Sequence, residues 1–410
     1  MARKLASIVK ISKVSPIENA DRLEVVEMEG KGWRVVTQKG EFKVGDLGCY
    51  FEIDSFLDPN DNRYAFLKDR CLKRFVSKSG NVLREGIRIK TMKLRGVVSQ
   101  GLLMPLSAFH EINERIKNGK YLTFTKEEWG KELDEICSKS SDPLDVIPYS
   151  ESTYLEDIVG SDVTRLLKVE HYDEVKEQLQ PTMGNPISGD AMGKFPTTWM
   201  PRSDEERVQN LGDWFKTMKG RRWEVTCKHD GTSCTIAYSP SIDRENPEIV
   251  CSRNLRLKHE SANGTIPIYW QMAEKYNVLD ALKDIYWVTN GTEFMIQGEI
   301  VGPGIQKDRN KENEIKFLCF RMWNITKQKF VTTDETVRIC KKYNIPHVQI
   351  IDDDFPFFDK ITTMEEALRF AEGKTEEGNE REGVVLKTCD DGKYASFKIV
   401  SNKYLLKQED

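Results

Sequence analysis

The spacing of apolar residues changes character twice along the chain. From about residue 5 to 108, short runs of alternating apolar and polar positions (Ile8–Ile11, Leu23–Met28, Trp33–Thr37, Gly48–Ile53, Gln100–Pro105) are separated by Asn19-Ala20-Asp21, Gly30, Gly32 and Gly40. A period of two with such punctuation predicts half-buried strands, and strands this short and evenly spaced predict a small closed β-barrel. In Ile87–Arg95 the alternation turns Arg88, Lys90, Lys93 and Arg95 outward, with a slip at Met92 that a bulge would absorb. From 109 to 194 the pattern is acidic, partly helical and poor in strands, with loops at Ser138–Pro143 and Gln180–Gly189. It reads as a linker with a helical insert.

Strands return between 195 and 410. Ser203-Asp204-Glu205-Glu206 is a capping signature for a helix carrying Arg207 and Asn210. Trp223–Tyr238 reads as strand, sharp turn, strand, with Lys228 at the mouth of the turn and Gly231 giving the chain room to bend. Tyr269, Met272, Tyr276 and Leu279 recur at helical spacing, while Phe294–Gly302, Lys316–Trp323, Glu380–Lys387 and Ser396–Val400 are strand patterns. The expected division is therefore a barrel at 1–108, an insert at 109–194 and an α+β domain at 195–410.

Composition narrows the class. With 39% hydrophobic and 31% charged residues the chain is soluble and globular in type, and no apolar run suggests a signal core or a membrane span. Nine scattered cysteines without a Cys-x-x-Cys pair argue for reduced thiols in a cytoplasmic setting and against a zinc site. The net charge of −4 conceals an asymmetry: residues 63–95 hold eleven Lys or Arg against two acids, and residues 111–180 hold seventeen acids against nine bases. The basic stretch is a candidate phosphate-binding surface.

Lys228-x-Asp230-Gly231 carries the chemistry. An amine is nucleophilic only when unprotonated, so a site using Lys228 needs a metal or neighbouring cations to depress its pKa, and carboxylates to hold that metal. Glu299 stands inside the apolar run Phe294–Gly302, where a carboxylate must be paired or bind a metal. His229 occupies the variable position of the motif as a spectator, Cys227 is a packed thiol on the opposite face, and His110, His171, His259 and His347 show no pairing pattern.

Five motifs follow in order: Lys228-x-Asp230-Gly231, Ser252-Arg253-Asn254, Gln297-Gly298-Glu299, Glu382-Gly383-Val384-Val385-Leu386-Lys387, and Lys398 on a final strand. This series resembles the covalent nucleotidyltransferases, the superfamily of ATP-dependent DNA and RNA ligases and mRNA capping enzymes. Twelve residues follow Lys398, which leaves no room there for the C-terminal barrel of the DNA ligases and capping enzymes. The leading segments Asn19–Val25, Gly40–Asp46 and Ser99–Leu102, with Phe195-Pro196 through Asn210, look like RNA ligases of the Deinococcus and Naegleria type.

The resemblance implies an N-terminal oligonucleotide-binding (OB) barrel, a C-terminal adenylation domain of antiparallel sheets flanked by helices, and sealing of RNA 3′-hydroxyl and 5′-phosphate ends, as at a nick in a duplex. It implies a lysyl-AMP on Lys228, Mg²⁺ or Mn²⁺ held by Asp230, Glu299 and Glu382, and phosphate charge spread over Lys387 and Lys398. Arg253 would lie near the ribose and the incoming phosphate. Phe320 or Trp323 would stack on adenine, and Arg88, Lys90, Lys93 and Arg95 would grip the RNA backbone. Relatives carry two lysines at alternate positions in the last motif; here Ser396 precedes Lys398, so the second cation is Lys387 or Lys403. A monomer is expected. The alternatives are a ligase for DNA or mixed nicks, a GTP user, and a degenerate nucleic-acid-binding protein.

Overall fold

The structure is a computed structural model that describes residues 4–117, 158–183, 191–261, 264–306, 313–389 and 394–406. The chain divides into two compact units at Gly184 and Asn185. Most of the insert expected at 109–194 lies outside the described residues.

The first unit is a barrel-like arrangement of short strands. Strand β1 (Ala6–Pro16) pairs through its first half with β4 (Leu47–Phe51) and through its second half with β2 (Leu23–Met28), with a register shift between Ile11 and Lys13 that lets one strand serve two directions. With β3 (Arg34–Gln38) and a later strand, Leu102–Pro105, these form a five-stranded sheet. A second sheet is built from β5 (Ser55–Leu57), β6 (Leu72–Val76) and β7 (Val82–Arg88). The single strand expected over Ile87–Arg95 is two. β7 ends at Arg88, Ile89 is buried and bonded to Ser55 and Asp54 backbone, and β8 (Thr91–Leu94) starts a hairpin with β9 (Val97–Gln100). The barrel strand Leu102–Pro105 is β10. The Val36 N–H donates to Ser99 Oγ at 3.0 Å, tying the hairpin to β3.

Residues 158–183 are not a linker. Ile158, Val163 and Val169 are buried in the same core as Ile8, Phe51, Ile87 and Phe109, and β11 (Glu170–His171) adds to β5. Each such side chain contributes about 1.5–3 kcal/mol of burial, so the barrel recruits this segment as part of its own interior.

The second unit packs two sheets and surrounding helices. A seven-stranded sheet runs in the order β12 (Ala191–Lys194), β17 (Leu255–Leu257), β16 (Glu248–Cys251), β15 (Thr232–Tyr238), β18 (Phe294–Val301), β19 (Lys316–Asn324) and β20 (Lys329–Phe330). Helices Ile268–Lys275 and Val278–Val288 cover it, burying Trp270, Met272, Leu279 and Leu282 against Ile236 and Ile296. The second sheet has the order β13 (Glu206–Arg207), β23 (Ser396–Val400), β22 (Gly383–Thr388), β14 (Trp223–Lys228) and β21 (Ile350–Phe355). Its core is an aromatic cluster in which Trp223 meets Phe397 edge-on with centroids 5.1 Å apart.

Two local expectations change. Residues 203–210 form no α-helix; Glu206–Arg207 is a short strand parallel to β23, followed by a single 3-10 turn at Val208–Asn210. The two strands around Lys228 do not pair with each other: β14 pairs with β22 and β21, while β15 pairs with β16 and β18. Residues 229–231 are thus the crossover between sheets. Among the described residues no helix is long and apolar enough to cross a membrane, and the described cysteines are free thiols.

Candidate active site

Lys228 ends β14, an inner strand of the smaller sheet, and pairing register decides what surrounds it. Lys228 lies opposite Gly383, which sets Glu382 beside the amine; Nζ donates to Glu382 Oε2 at 2.6 Å. In the larger sheet Ser233 lies opposite Glu299, bringing that carboxyl to the same crossover. Gly231 is required by proximity rather than by an unusual backbone angle. A Cβ there would sit 2.3 Å from the Ile300 carbonyl oxygen and 2.9 Å from Glu299 Cγ, so only hydrogen lets the strands approach.

A cavity of about 280 Å³ opens over this junction, lined by Lys228, Asp230, Glu299, Glu382, Arg253, Phe320, Lys387 and Lys398 among others. All eight candidate adenylation residues thus share one space. Trp323 is not on its wall; its indole N–H donates to the Trp199 carbonyl at 3.1 Å. Lys403 pairs with Glu380 at 3.1 Å and does not line the cavity either. Lys387 is buried and donates to Glu224 Oε1 at 3.3 Å and to the Phe320 carbonyl, so it fastens β19 to the smaller sheet behind the aromatic ring.

The electrostatics are those of a crowded acid cluster. Burial alone would lower the Lys228 pKa, but Glu382, Glu299 and Asp230 outweigh it and raise the pKa, so the amine is an ammonium here. The expectation that surrounding cations keep it neutral is therefore corrected: its nearest charge is a carboxylate in contact, and the lysines are farther off in effect. Burial, with repulsion from Glu382 and Asp230, pushes Glu299 up to about 8 despite Lys228. Burial, with Arg207 and Lys228, brings Lys398 down to about 8. Burial holds His229 to about 4, so it is neutral at pH 7 and a poor proton acceptor.

The acid-rich crossover fits a hard divalent cation. Glu299 resists ionisation because burial strips water from its charge and Glu382 and Asp230 repel it, a deficit that such an ion would fill. Among the described residues no three His, Cys, Asp or Glu side chains converge to coordinate one ion directly. An ion of the Mg²⁺ type, which keeps most of its waters and uses one or two carboxylates, suits that spacing.

Several residues that the sequence did not single out complete the site. Arg321, on β19, is buried and donates to Glu205 at 2.8 Å, Gln297 at 2.6 Å and the Arg202 carbonyl at 2.7 Å. Glu205 also accepts from Ser396. This network pins residues 202–205 to both sheets and sets Asp204 at the cavity, where both its oxygens accept from Arg253 Nη2 at 3.0 Å. Burial would raise Asp204, but Arg253, Lys398 and Arg202 hold it below the usual carboxylate range. A charged residue within the apolar run of β19 was a legible signal for Arg321, of the same kind that marked Glu299. Tyr404, whose hydroxyl donates to Asp230 at 2.8 Å, had no such signal.

In the first unit the basic residues separate into two kinds. Arg88 donates to Asp54 at 2.6 Å and stacks 4.0 Å from the Tyr172 ring centre, which makes it part of the internal structure. Arg63 and Arg74 are likewise ion-paired, at 2.6 and 3.0 Å. Lys93 and Arg95 are exposed on the β8–β9 hairpin and Lys90 is half-buried just before it.

Comparison with known proteins places this geometry. An OB-fold domain model matches residues 5–106 and an RNA ligase model matches residues 221–400. The solved structure of Naegleria gruberi RNA ligase with PPi is 31% identical, with 100% of each chain covered and a TM-score of 0.71. The chain belongs to the RNA ligase family. Variants of the Naegleria ligase solved with AMP and Mn, and with ATP and Mn, are each 31% identical over 100% of both chains, with TM-scores of 0.72. Comparison with curated protein sequences found no match. The barrel-like first unit and the two-sheet second unit are thus the OB domain and the ligase domain of an RNA ligase.

Proposed function

We propose that this RNA ligase is ATP-dependent and seals a 3′-hydroxyl to a 5′-phosphate through two covalent adenylates, with nicked duplex RNA as the substrate. The observation that carries the reading is the gathering of Lys228, Asp230, Glu299, Glu382, Lys387 and Lys398 around one cavity. The Naegleria structures holding ATP or AMP with Mn support the choice of nucleotide and of metal.

In the first step Lys228 Nζ, having given up a proton to solvent, attacks the α-phosphorus of ATP, the bond to the β-phosphate oxygen breaks, and pyrophosphate leaves as the newly bonded nitrogen releases a second proton. A divalent ion, Mg²⁺ or Mn²⁺, would be held by Asp230, Glu299 and Glu382, in part through its own waters, and would supply positive charge that favours the unprotonated amine and the ionised acids. Tyr404 orients Asp230. Phe320, on the cavity wall, stacks on adenine. Lys398, poised near neutrality, and Lys387 stabilise charge on the transferring phosphate, where catalysis is mostly positioning and electrostatics.

In the second step the RNA 5′-phosphate displaces Lys228 from AMP; in the third the 3′-hydroxyl displaces AMP and the phosphodiester forms. Arg253 exchanges Asp204 for a phosphate, to which its planar fork is suited. Lys90, Lys93 and Arg95 hold the RNA backbone, and Arg88 supports them by bracing β7. The protein works as a monomer.

Incubation with α-labelled ATP and Mg²⁺ tests the first step. Label should appear on wild type and not on Lys228→Ala, and a four-nucleotide panel decides the donor. Sealing of nicked and single-stranded RNA and DNA then fixes the substrate. A protein that takes no label but still binds RNA would be a degenerate binding module.

A further inference from the structure

Glu382 stands immediately ahead of β22, so whatever fixes the start of that strand fixes the carboxylate. Main-chain bonds hold the chain there on two sides: the Arg381 N–H donates to the Gly373 carbonyl at 3.1 Å and the Ser401 N–H to the Glu382 carbonyl at 2.8 Å. The two neighbouring side chains then go different ways. Glu382 lines the catalytic cavity, whereas Arg381 is buried outside it.

The Arg381 guanidinium grips the end of a helix. Nε donates to the Ala371 carbonyl at 3.0 Å, and Nη2 to the Phe370 and Glu372 carbonyls at 2.8 Å each. These carbonyls lie at the end of helix Met364–Phe370, where intrahelical donors run out. Ala367 and Ala371 are buried in the same core as Val384 and Phe397, so the helix is a firm footing. The guanidinium also has a shaped seat. A Cβ on Gly373 would lie 2.9 Å from Arg381 Cζ and 3.0 Å from Nε, so a side chain there would crowd the arginine off its carbonyls. Among the described residues no carboxylate pairs with Arg381, and burial lowers its pKa. A buried cation without a counter-ion is unfavourable by itself. Ending a helix does not call for one, because water or a glycine turn serves as well. What the arginine adds is a fixed point one residue from Glu382.

We propose that Arg381 is a positioning residue for lysine adenylation: it ties the start of β22 to the end of helix Met364–Phe370, so that the Glu382 carboxylate keeps one place beside Lys228 and toward the divalent ion. Without that tie the strand end is looser, the carboxylate spreads over several positions, and the ion is held more weakly. The inference rests on the reading that Glu382 helps to hold the ion used in adenylation.

The test compares wild type, Arg381→Met, Arg381→Lys and Thr363→Ala. Two midpoints are measured on each: the Mg²⁺ concentration for half-maximal labelling of Lys228 by α-labelled ATP, and the Mg²⁺ concentration for half of the rise in melting temperature without nucleotide. Arg381→Met should raise both midpoints by about 10-fold, the lower end of the range for groups that orient a metal's ligands, and Arg381→Lys, which keeps a cationic donor, by about 3-fold. Thr363→Ala removes the capping box at the other end of the same helix, so it should lower the melting temperature and leave both midpoints unchanged. A midpoint belongs to the folded molecules alone, so a partly folded preparation still reports it. Midpoints in Arg381→Met within about 2-fold of wild type, or an equal rise in Thr363→Ala, overturn the inference alone. Labelling of wild type that needs no divalent ion, or no labelling at all, overturns the underlying reading and this inference with it.

Discussion

Glu299→Gln should make the metal-free ligase more stable at alkaline pH while removing its adenylation activity. The folded protein holds the Glu299 proton up to about 8, against an ordinary carboxyl value of 4.5. Between those values the folded state binds more protons than the unfolded one, so stability is lost as pH rises from about 4.5 through about 8. Each pH unit of that window is worth about 1.4 kcal/mol, which gives an upper bound near ~5 kcal/mol at pH 9. The cavity opens to water, which lets solvent screen the carboxylate, so an effect of ~2–3 kcal/mol is expected. In a unit of this size that corresponds to about 4–12 °C in Tm. Gln cannot ionise, and the difference between variant and wild type cancels the titration of groups remote from Glu299. Thermal unfolding in EDTA from pH 5 to 9 should show the two proteins converging at pH 5 and the variant leading at pH 9. Mg²⁺ should then stabilise wild type and not the variant, because binding to the folded state alone raises stability by mass action. A variant no more stable than wild type at pH 9, or equally stabilised by Mg²⁺, would refute the account of Glu299 as a carboxyl crowded for want of a cation.

Further outcomes are expected from the same geometry. Arg321→Met, which strands the buried Glu205 carboxylate, should cost about 3–5 kcal/mol in urea unfolding; the double variant with Glu205→Gln should recover part of that loss, and strict additivity would argue against the pairing. Gly231→Ala should abolish labelling of Lys228, since the added methyl would sit 2.3 Å from the Ile300 oxygen; near-normal labelling would show that the crossover is looser than described. Tyr404→Phe removes the bond to Asp230 and should slow labelling by about 3–10-fold with the melting temperature almost unchanged. In salt titrations of RNA binding, neutralising Lys90, Lys93 and Arg95 should flatten the slope by up to about one unit per residue, whereas Arg88→Gln should mainly lower stability through loss of Asp54 and Tyr172.

Charge and spacing along the chain marked Lys228 and Glu299, and the order of the motifs added Asp230, Glu382, Lys387 and Lys398 as candidates, all six of which the fold brings to one cavity. They also carried the barrel and the family. Local pattern failed where partners are distant in sequence. Asp204 and Glu205 look like a helix cap until Arg321 and Ser396, more than a hundred residues later, fasten Glu205 just ahead of the edge strand Glu206–Arg207. Arg88 looks like an outward cation until Asp54 and Tyr172 enclose it. The protonation of Lys228 was likewise beyond a linear reading, since it depends on Glu382 arriving at 2.6 Å across a strand pair 154 residues apart. The amino-acid sequence by itself determined which groups were available for chemistry and which strands would carry them. Tertiary structure alone decided which of those groups touch, and hence their charge, because Coulombic and desolvation energies vary over a few ångströms and nothing in the order of residues encodes that distance.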